Sequence, residues 1–161
     1  MPRLPQPGRR RGPALREDQS SPTVGCIGPE ILLYEAFDHS TVTALRHAVT
    51  SCAGAAGLTA ERLDDFVVAV NELLTNAVRH GGGSGRLALW HADGAVVCEV
   101  SDDGPGLPSP LAGGGLVRPS ADQPGGWGLW LAEELTDSFA LTTGAGGTTV
   151  RVSTNLFLRE P

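Results

Sequence analysis

The segment from Ala60 to Gly83 constrains the fold more than any other part of the sequence. Between about 60 and 79, apolar residues recur at intervals of three and four, which is the spacing of an amphipathic helix. Thr59 precedes the pattern as an N-cap, and three glycines from Gly81 end it. The pattern predicts a helix with one apolar face, which must be buried against another layer of structure. That face is formed by Leu63, Phe66, Val67, Val70, Leu73, Leu74, Ala77 and Val78.

A shorter helix precedes this one. Ser40 or Thr41 can cap it, and its apolar stripe runs to about Cys52. Gly54 and Gly57 are expected to end it, because glycine is unfavourable inside helices.

The remaining elements are mostly strands. Asp93-Gly94 is a preferred dipeptide for a tight hairpin turn, and Gly144 to Gly147 form a second turn. Helices followed by a run of antiparallel strands predict an α/β two-layer sandwich, a mostly antiparallel sheet covered on one face by helices. The predicted strands are 31–37, 86–91, 95–101, 138–143 and 148–157, and a third helix covers about 127–135.

Charge is distributed unevenly along the chain. Residues 1–22 hold five Arg and two acidic residues, a net charge of +3, whereas the remainder holds seven Arg and sixteen acidic residues, a net charge of −9. We expect residues 1–28 to be a disordered Arg/Pro-rich leader and residues 29–158 to form one domain. A domain this acidic is a poor candidate for binding nucleic acid.

The cysteines and the apolar segments favour a cytoplasmic protein. Cys26, Cys52 and Cys98 are odd in number and lack metal-site spacing, so neither a disulfide framework nor a zinc site is expected. No segment approaches the roughly 20 apolar residues of a membrane span, and the first residues lack the apolar core of a secretory signal. We therefore expect no membrane association.

All twelve basic residues of the chain are Arg. A Walker A loop requires a Lys, and so do protein kinases of the common eukaryotic type and enzymes that use a Schiff base. These three classes are excluded, and any nucleotide must be bound by another device.

Three short motifs carry the functional information. Glu72 and Asn76 lie one turn apart on the long helix, the sequence DDGPG begins at Asp102 directly after a strand, and GWGL begins at Gly126 at the start of a helix. Each motif is weak alone. In this order and these contexts, they resemble the motifs of the GHKL superfamily of ATP-binding domains, which includes gyrase and the histidine kinases. The resemblance covers about residues 30–157 and implies the Bergerat ATP-binding fold, with ATP and Mg²⁺ as cofactors.

The resemblance implies roles for the helix motif. Asn76 would provide an oxygen ligand to Mg²⁺, which prefers hard oxygen donors and retains ligands from phosphate and water. Glu72 would be the general base that removes a proton from water or a substrate hydroxyl. His80 lies one turn further along, where closing the helix end is a simpler role than touching nucleotide.

The resemblance also implies roles for the other motifs. Asp102, rather than Asp103, would accept a hydrogen bond from the exocyclic amine of adenine. Thr148, or otherwise Thr149, would hydrogen-bond near the adenine. Glycines would let the backbone approach the base or present N–H groups to phosphate at a helix start. The complete set of implied nucleotide-binding residues is Asn76, Asp102, Gly104, Gly106, Arg118, Gly126, Gly128, Leu129 and Thr148.

Residues 107–125 would form the ATP lid. Arg118 is the basic residue of this loop, and we expect it to contact the γ-phosphate, with Arg79 as second choice.

Within the superfamily, the short chain is most similar to RsbW-like anti-sigma factors, which are also serine kinases. This similarity implies phosphorylation of an anti-anti-sigma (STAS-type) protein and sequestration of a sigma factor. Two alternatives remain open: an ATP-gated binding module without phosphotransfer, and a detached histidine-kinase catalytic domain. Relatives often form homodimers, for which residues 31–52 are the expected surface.

Overall fold

The computed structural model describes residues 29–107 and 127–157. They form five strands and three helices: β1 (Glu30–Asp38), α1 (Val42–Ala56), α2 (Ala60–His80), β2 (Ser84–Ala92), β3 (Ala95–Asp102), α3 (Trp127–Glu134), β4 (Ser138–Gly144) and β5 (Gly147–Asn155). The strands make one sheet in the order β1-β2-β3-β5-β4, with every neighbouring pair antiparallel. The predicted leader at 1–28 and the predicted lid residues beyond Leu107 lie outside the described residues.

The sheet has one helix-covered face and one open face. Side chains along β3 and β5 alternate between buried and partly exposed positions, as expected when only one face is covered. On the covered face, Val96, Cys98 and Val152 are fully buried beneath the helices. The predicted α/β two-layer sandwich, with its antiparallel sheet covered on one face, is confirmed.

Helix α2 supplies the middle of the core. Phe66, Val70 and Leu74 have no exposed surface, and they lie on the predicted apolar face. Burial of one side chain of this size stabilises the fold by roughly 1.5–3 kcal/mol relative to leaving it exposed to water. Gly81 ends the helix and donates its N–H to the carbonyl of Ala77. The bounds predicted for this helix are correct to within one residue.

Helix α1 is longer than the sequence predicts. Gly54 lies inside the helix instead of ending it, and a Cβ atom there would be 3.5 Å from the Leu63 side chain of α2. The helix ends at Gly57, whose φ of +122° is accessible to glycine. Its N-terminus lacks the expected hydroxyl cap, because Ser40 and Thr41 hydrogen-bond to the Asp38 side chain.

The turns follow the sequence closely. Asp93 and Gly94 both have positive φ, +52° and +75°, which is the conformation of a type I′ hairpin. Gly144 pairs with Gly147, so β4 and β5 extend further into the glycine-rich segment than predicted. Among the residues described, no helix is long and apolar enough to cross a membrane.

Candidate functional site

The ends of α2 and β3 meet at one edge of the sheet. Gly81 follows the last residue of α2, and Asp102 is the last residue of β3. A Cβ atom at position 81 would collide with the Asp102 carboxyl group, so this contact requires glycine. Gly104 packs against the same turn, where its Cβ would be 2.6 Å from the carbonyl carbon of Gly81. The close approach of these backbones forms one wall of the candidate site.

The Asp102 carboxylate is the polar centre of this wall. The residue is 7% exposed, and it pairs with Thr148 across β3 and β5. Its Oδ1 accepts hydrogen bonds from the backbone N–H groups of Gly104, at 3.0 Å, and Thr148, at 3.3 Å. Two backbone donors on one oxygen fix the side chain in place. They leave Oδ2 as an acceptor for a ligand.

Asp103 occupies a different environment, although it follows Asp102 directly. It is exposed and forms a two-bond ion pair with Arg86, at 3.0 and 3.2 Å. The Arg86 guanidinium hydrogen-bonds to Asp103 and attracts it, which holds the pKa of that carboxyl below its usual range. The same contact raises the pKa of Arg86. Of the two adjacent aspartates, Asp102 is therefore the buried one, and it is also the one predicted to bind the base.

The loop after Asp102 is tied to the β4–β5 hairpin. Gly106 has a φ of +85°, and a Cβ atom there would collide with the carbonyl oxygen of Gly144. The Leu107 N–H donates to the Thr143 hydroxyl at 2.8 Å. Gly147 has a φ of +129° and no room for a side chain beside the Asp102 carbonyl. Glycine is needed at 106 and 147 both for conformation and for contact.

Glu72 and Asn76 lie at the other end of the site. Both side chains are half-buried rather than on a fully solvated helix face. Helix α3 packs against α2 here, and a Cβ atom at Gly128 would be 2.8 Å from Oε2 of Glu72. The first turn of a helix has N–H groups without helical partners, and these groups favour anions. The predicted base and the predicted phosphate-binding helix start are thus adjacent.

The structure locates the other predicted residues as follows. Leu129 is 4% exposed and its side chain packs in the core. Arg79 and His80 are exposed at the end of α2. Gly126 and Arg118 lie outside the described residues.

Three residues that contact the site are not predicted by the sequence to belong to it. The sequence predicts Gly81 as a helix stop and Gly147 as part of a turn, yet both are in contact with Asp102. Thr143 holds the backbone after Gly106, as described above. The sequence predicts these glycines and this threonine as turn and strand residues, but nothing in their local pattern indicates a contact with a residue about 20 to 45 positions away.

The donor set for a cation is small. Among the described residues, no group of three His, Cys, Asp or Glu side chains could hold a metal ion. An amide oxygen from Asn76 fits Mg²⁺ that also keeps ligands from phosphate and water. It does not fit a structural zinc site, which needs four protein ligands.

An antiparallel five-stranded sheet covered on one face by helices is the architecture of the GHKL superfamily. The model of the histidine kinase-like ATPase domain matches residues 36–154. The chain belongs to the histidine kinase-like ATPase domain family. ATP is the nucleotide that membership in this family implies.

The chain is similar to proteins of known structure. The RsbU and RsbW domains of Rv1364c from Mycobacterium tuberculosis match with a TM-score of 0.58 and 25% identity, covering 80% of this chain and 32% of that one. This chain thus spans about a third of that longer protein. The histidine kinase domain of the blue-light activated histidine kinase EL346 from Erythrobacter litoralis matches with a TM-score of 0.48 and 20% identity, covering 73% of this chain and 64% of that one.

Proposed function

We propose that this protein is an ATP-dependent serine/threonine kinase of the anti-sigma factor type. It would phosphorylate a STAS-type anti-anti-sigma protein and sequester a sigma factor. The observation that carries the nucleotide assignment is the buried Asp102, whose two backbone donors from the described part of the chain both bind Oδ1 rather than Oδ2. Similarity to a protein with an RsbW domain supports the choice of partners.

Base recognition follows from the chemistry of Asp102. An ionised carboxylate accepts hydrogen bonds and cannot donate them, so Oδ2 suits the exocyclic amine of adenine. Guanine carries a carbonyl oxygen at the same ring position, which a carboxylate would repel. Burial strengthens this preference, because an unmatched polar group is costly away from water. The site is therefore selective for adenine nucleotides.

Phosphates would bind at the start of α3. The backbone N–H groups of Gly128 and Leu129 would be aimed donors there, and Asn76 would hold Mg²⁺, which neutralises charge on the transferring phosphate. Glu72 lies beside Gly128. There it would be within reach of a partner hydroxyl placed against that phosphate. Glu72 would accept the hydroxyl proton as the oxygen attacks.

The first experiment measures ATP binding by calorimetry. Asp102→Asn is expected to weaken ATP binding at least about tenfold, because an amide NH₂ replaces one of the acceptor oxygens. Asp103→Asn is the matched control, since its carboxylate is exposed and bonded to Arg86. Asn76→Ala should weaken Mg²⁺-ATP while leaving adenosine unaffected. If Asp102→Asn and Asn76→Ala both bound ATP with wild-type affinity, the assignment of the site would be wrong.

The second experiment measures phosphotransfer from γ-labelled ATP to partners that co-purify from native lysate. Glu72→Gln is expected to lower the rate at least about 100-fold while ATP affinity stays within about threefold. Glu61→Gln, an exposed acid in the first turn of the same helix, is the control. Tight ATP binding without label on any partner would favour the ATP-gated module. An acid-labile label would favour a histidine-kinase catalytic domain.

A homodimer through residues 31–52 has support from exposed apolar surface. Ile31 and Tyr34 are 63% and 65% exposed on β1, which is an edge strand. They pair with Trp90 and Ala88, which places them on the open face of the sheet. Tyr34→Glu should shift the protein towards monomer in sedimentation velocity. A wild-type protein that sediments as a monomer at high concentration would contradict the dimer.

A further inference from the structure

Thr143 on β4 makes contacts that connect two parts of the candidate site. Its Oγ1 accepts a hydrogen bond from the Leu107 N–H at 2.8 Å, and it is 2.8 Å from the Oγ1 of Thr148. The two threonines face each other across β4 and β5. Thr148 is 5% exposed, and its own N–H donates to Asp102. One hydroxyl therefore touches both the loop after Gly106 and the neighbour of the base-binding carboxylate.

Hydrogen-bond capacity limits what this hydroxyl can do. A threonine hydroxyl has one hydrogen to donate and two lone pairs to accept with. The Leu107 N–H can act only as a donor, so it uses one lone pair of Thr143. In the contact between the threonines, either oxygen can be the donor. When Thr143 donates, the hydrogen of Thr148 is left to point at a ligand.

We propose that Thr143 is a specificity-determining positioning residue, which directs the Thr148 hydroxyl hydrogen into the base pocket. The proposal rests on the proposed binding of adenine nucleotide at Asp102. Adenine places an acceptor, the ring nitrogen N1, beside the donor amine. A carboxylate acceptor next to a hydroxyl donor matches this pair, whereas guanine presents the reverse pattern.

The arrangement depends on the hydroxyl of Thr143 rather than on its bulk. Valine has nearly the same shape but neither donates nor accepts. Thr143→Val would leave the Leu107 N–H without its partner, and the Thr148 hydroxyl would rotate freely. Thr143→Ser keeps the hydroxyl. Thr142 is exposed and is the next residue on the same strand, with its side chain on the opposite face, so Thr142→Val is a matched control.

The test compares the affinities of ATP and 1-deaza-ATP, in which a C–H group replaces N1 while the amine remains. Wild type, Thr143→Ser and Thr142→Val are expected to bind ATP about tenfold more tightly than 1-deaza-ATP, the value of one hydrogen bond of about 1.4 kcal/mol. In Thr143→Val this ratio should fall below the wild-type value, because the Thr148 hydrogen is no longer directed at N1. Thr143→Ala should give the same loss and serves as a second variant if valine perturbs folding, which thermal unfolding would reveal.

A purely structural role gives a different result. If Thr143→Val weakened both nucleotides equally, or left the tenfold ratio intact, the inference would be overturned. Asp102→Asn separates this failure from failure of the proposed function. ATP binding that depends on Asp102, together with an unchanged ratio in Thr143→Val, removes only the role of Thr143. Absence of ATP binding by the wild type removes the proposed function and the role of Thr143 together.

Discussion

Substitution of Gly104 by alanine tests whether backbone contact builds the site. The added Cβ would lie 2.6 Å from the Gly81 carbonyl carbon and 2.7 Å from its Cα. Ordinary contact begins near 3.4 Å, so the two backbones must separate by about 0.8 Å. Gly81 cannot simply retreat, because Asp102 and the Ala77 carbonyl oxygen enclose it. Overpacking against such a fixed neighbour costs about 1–3 kcal/mol of folding free energy.

The same displacement should impair binding. Gly104 donates its N–H to Asp102, so moving it by nearly an ångström disturbs the carboxylate that would recognise the base. A displacement of about 1 Å in a positioned site can cost about 100-fold in function. We expect Gly104→Ala to weaken ATP binding about 10–100-fold by calorimetry and to lower stability by about 1–3 kcal/mol in urea unfolding.

Gly146→Ala is the matched control for this variant. Neither Gly104 nor Gly146 has a positive φ, so backbone strain is absent in both, and a Cβ at 146 has open space around it. Alanine there should be neutral or should stabilise the fold by up to about 1 kcal/mol, because it reduces the conformational entropy of the unfolded chain. The reasoning is refuted if Gly104→Ala keeps the stability and ATP affinity of Gly146→Ala.

Two predictions concern residues away from the base pocket. Arg62→Ala should lower the free energy of unfolding by about 1–2 kcal/mol without changing ATP affinity, because Arg62 joins α2 to Asp137 at 2.6 Å in a partly exposed ion pair and also donates to the Asn155 carbonyl oxygen at 2.7 and 3.0 Å. Urea unfolding and calorimetry check the two expectations. Arg86→Ala should raise the lowered pKa of Asp103 towards 3.8 in an NMR carboxyl titration, whereas the pKa of Asp38, lowered by bonds from Ser40 and Thr41, should not move. Since the folded pKa of Asp103 is depressed, its ion pair stabilises the wild type above about pH 3.8, and this contribution is lost as the pH falls through the folded value.

The fold was predictable because its elements have strong local patterns. Helix α2 has a continuous apolar face, and Asp93-Gly94 specifies its hairpin. The end of α1 was not predictable in the same way. Gly54 is unfavourable inside a helix, but it lies where α2 packs closely, and the Leu63 side chain occupies the space beside it. Tertiary packing thus outweighed a local preference of about 1 kcal/mol.

The site was only partly predictable, for a related reason. Motif order predicts Glu72, Asp102 and Gly128 as site residues, and the structure brings the first and third together at α3. The contacts of Gly81 and Gly147 with Asp102 depend on which strands become neighbours. Sheet order is a property of the whole chain, so no short segment encodes it.

Removal of Mg²⁺ should distinguish the two ends of the site. Glu72 and Asp102 would place two carboxylates in a site that receives an anionic triphosphate, and the chain has no Lys to offset them. Repulsion between like charges is strong in partly buried surroundings, where the effective dielectric constant is about 20. We therefore expect EDTA to weaken ATP binding at least about tenfold and to leave adenosine binding within about twofold, since adenosine carries no phosphate. Equal losses for both ligands would mean that the cation supports the fold rather than the phosphates. Unchanged ATP affinity would mean that the α3 N–H groups and arginine side chains bind the phosphates without Mg²⁺. Asn76 would then not act as a metal ligand.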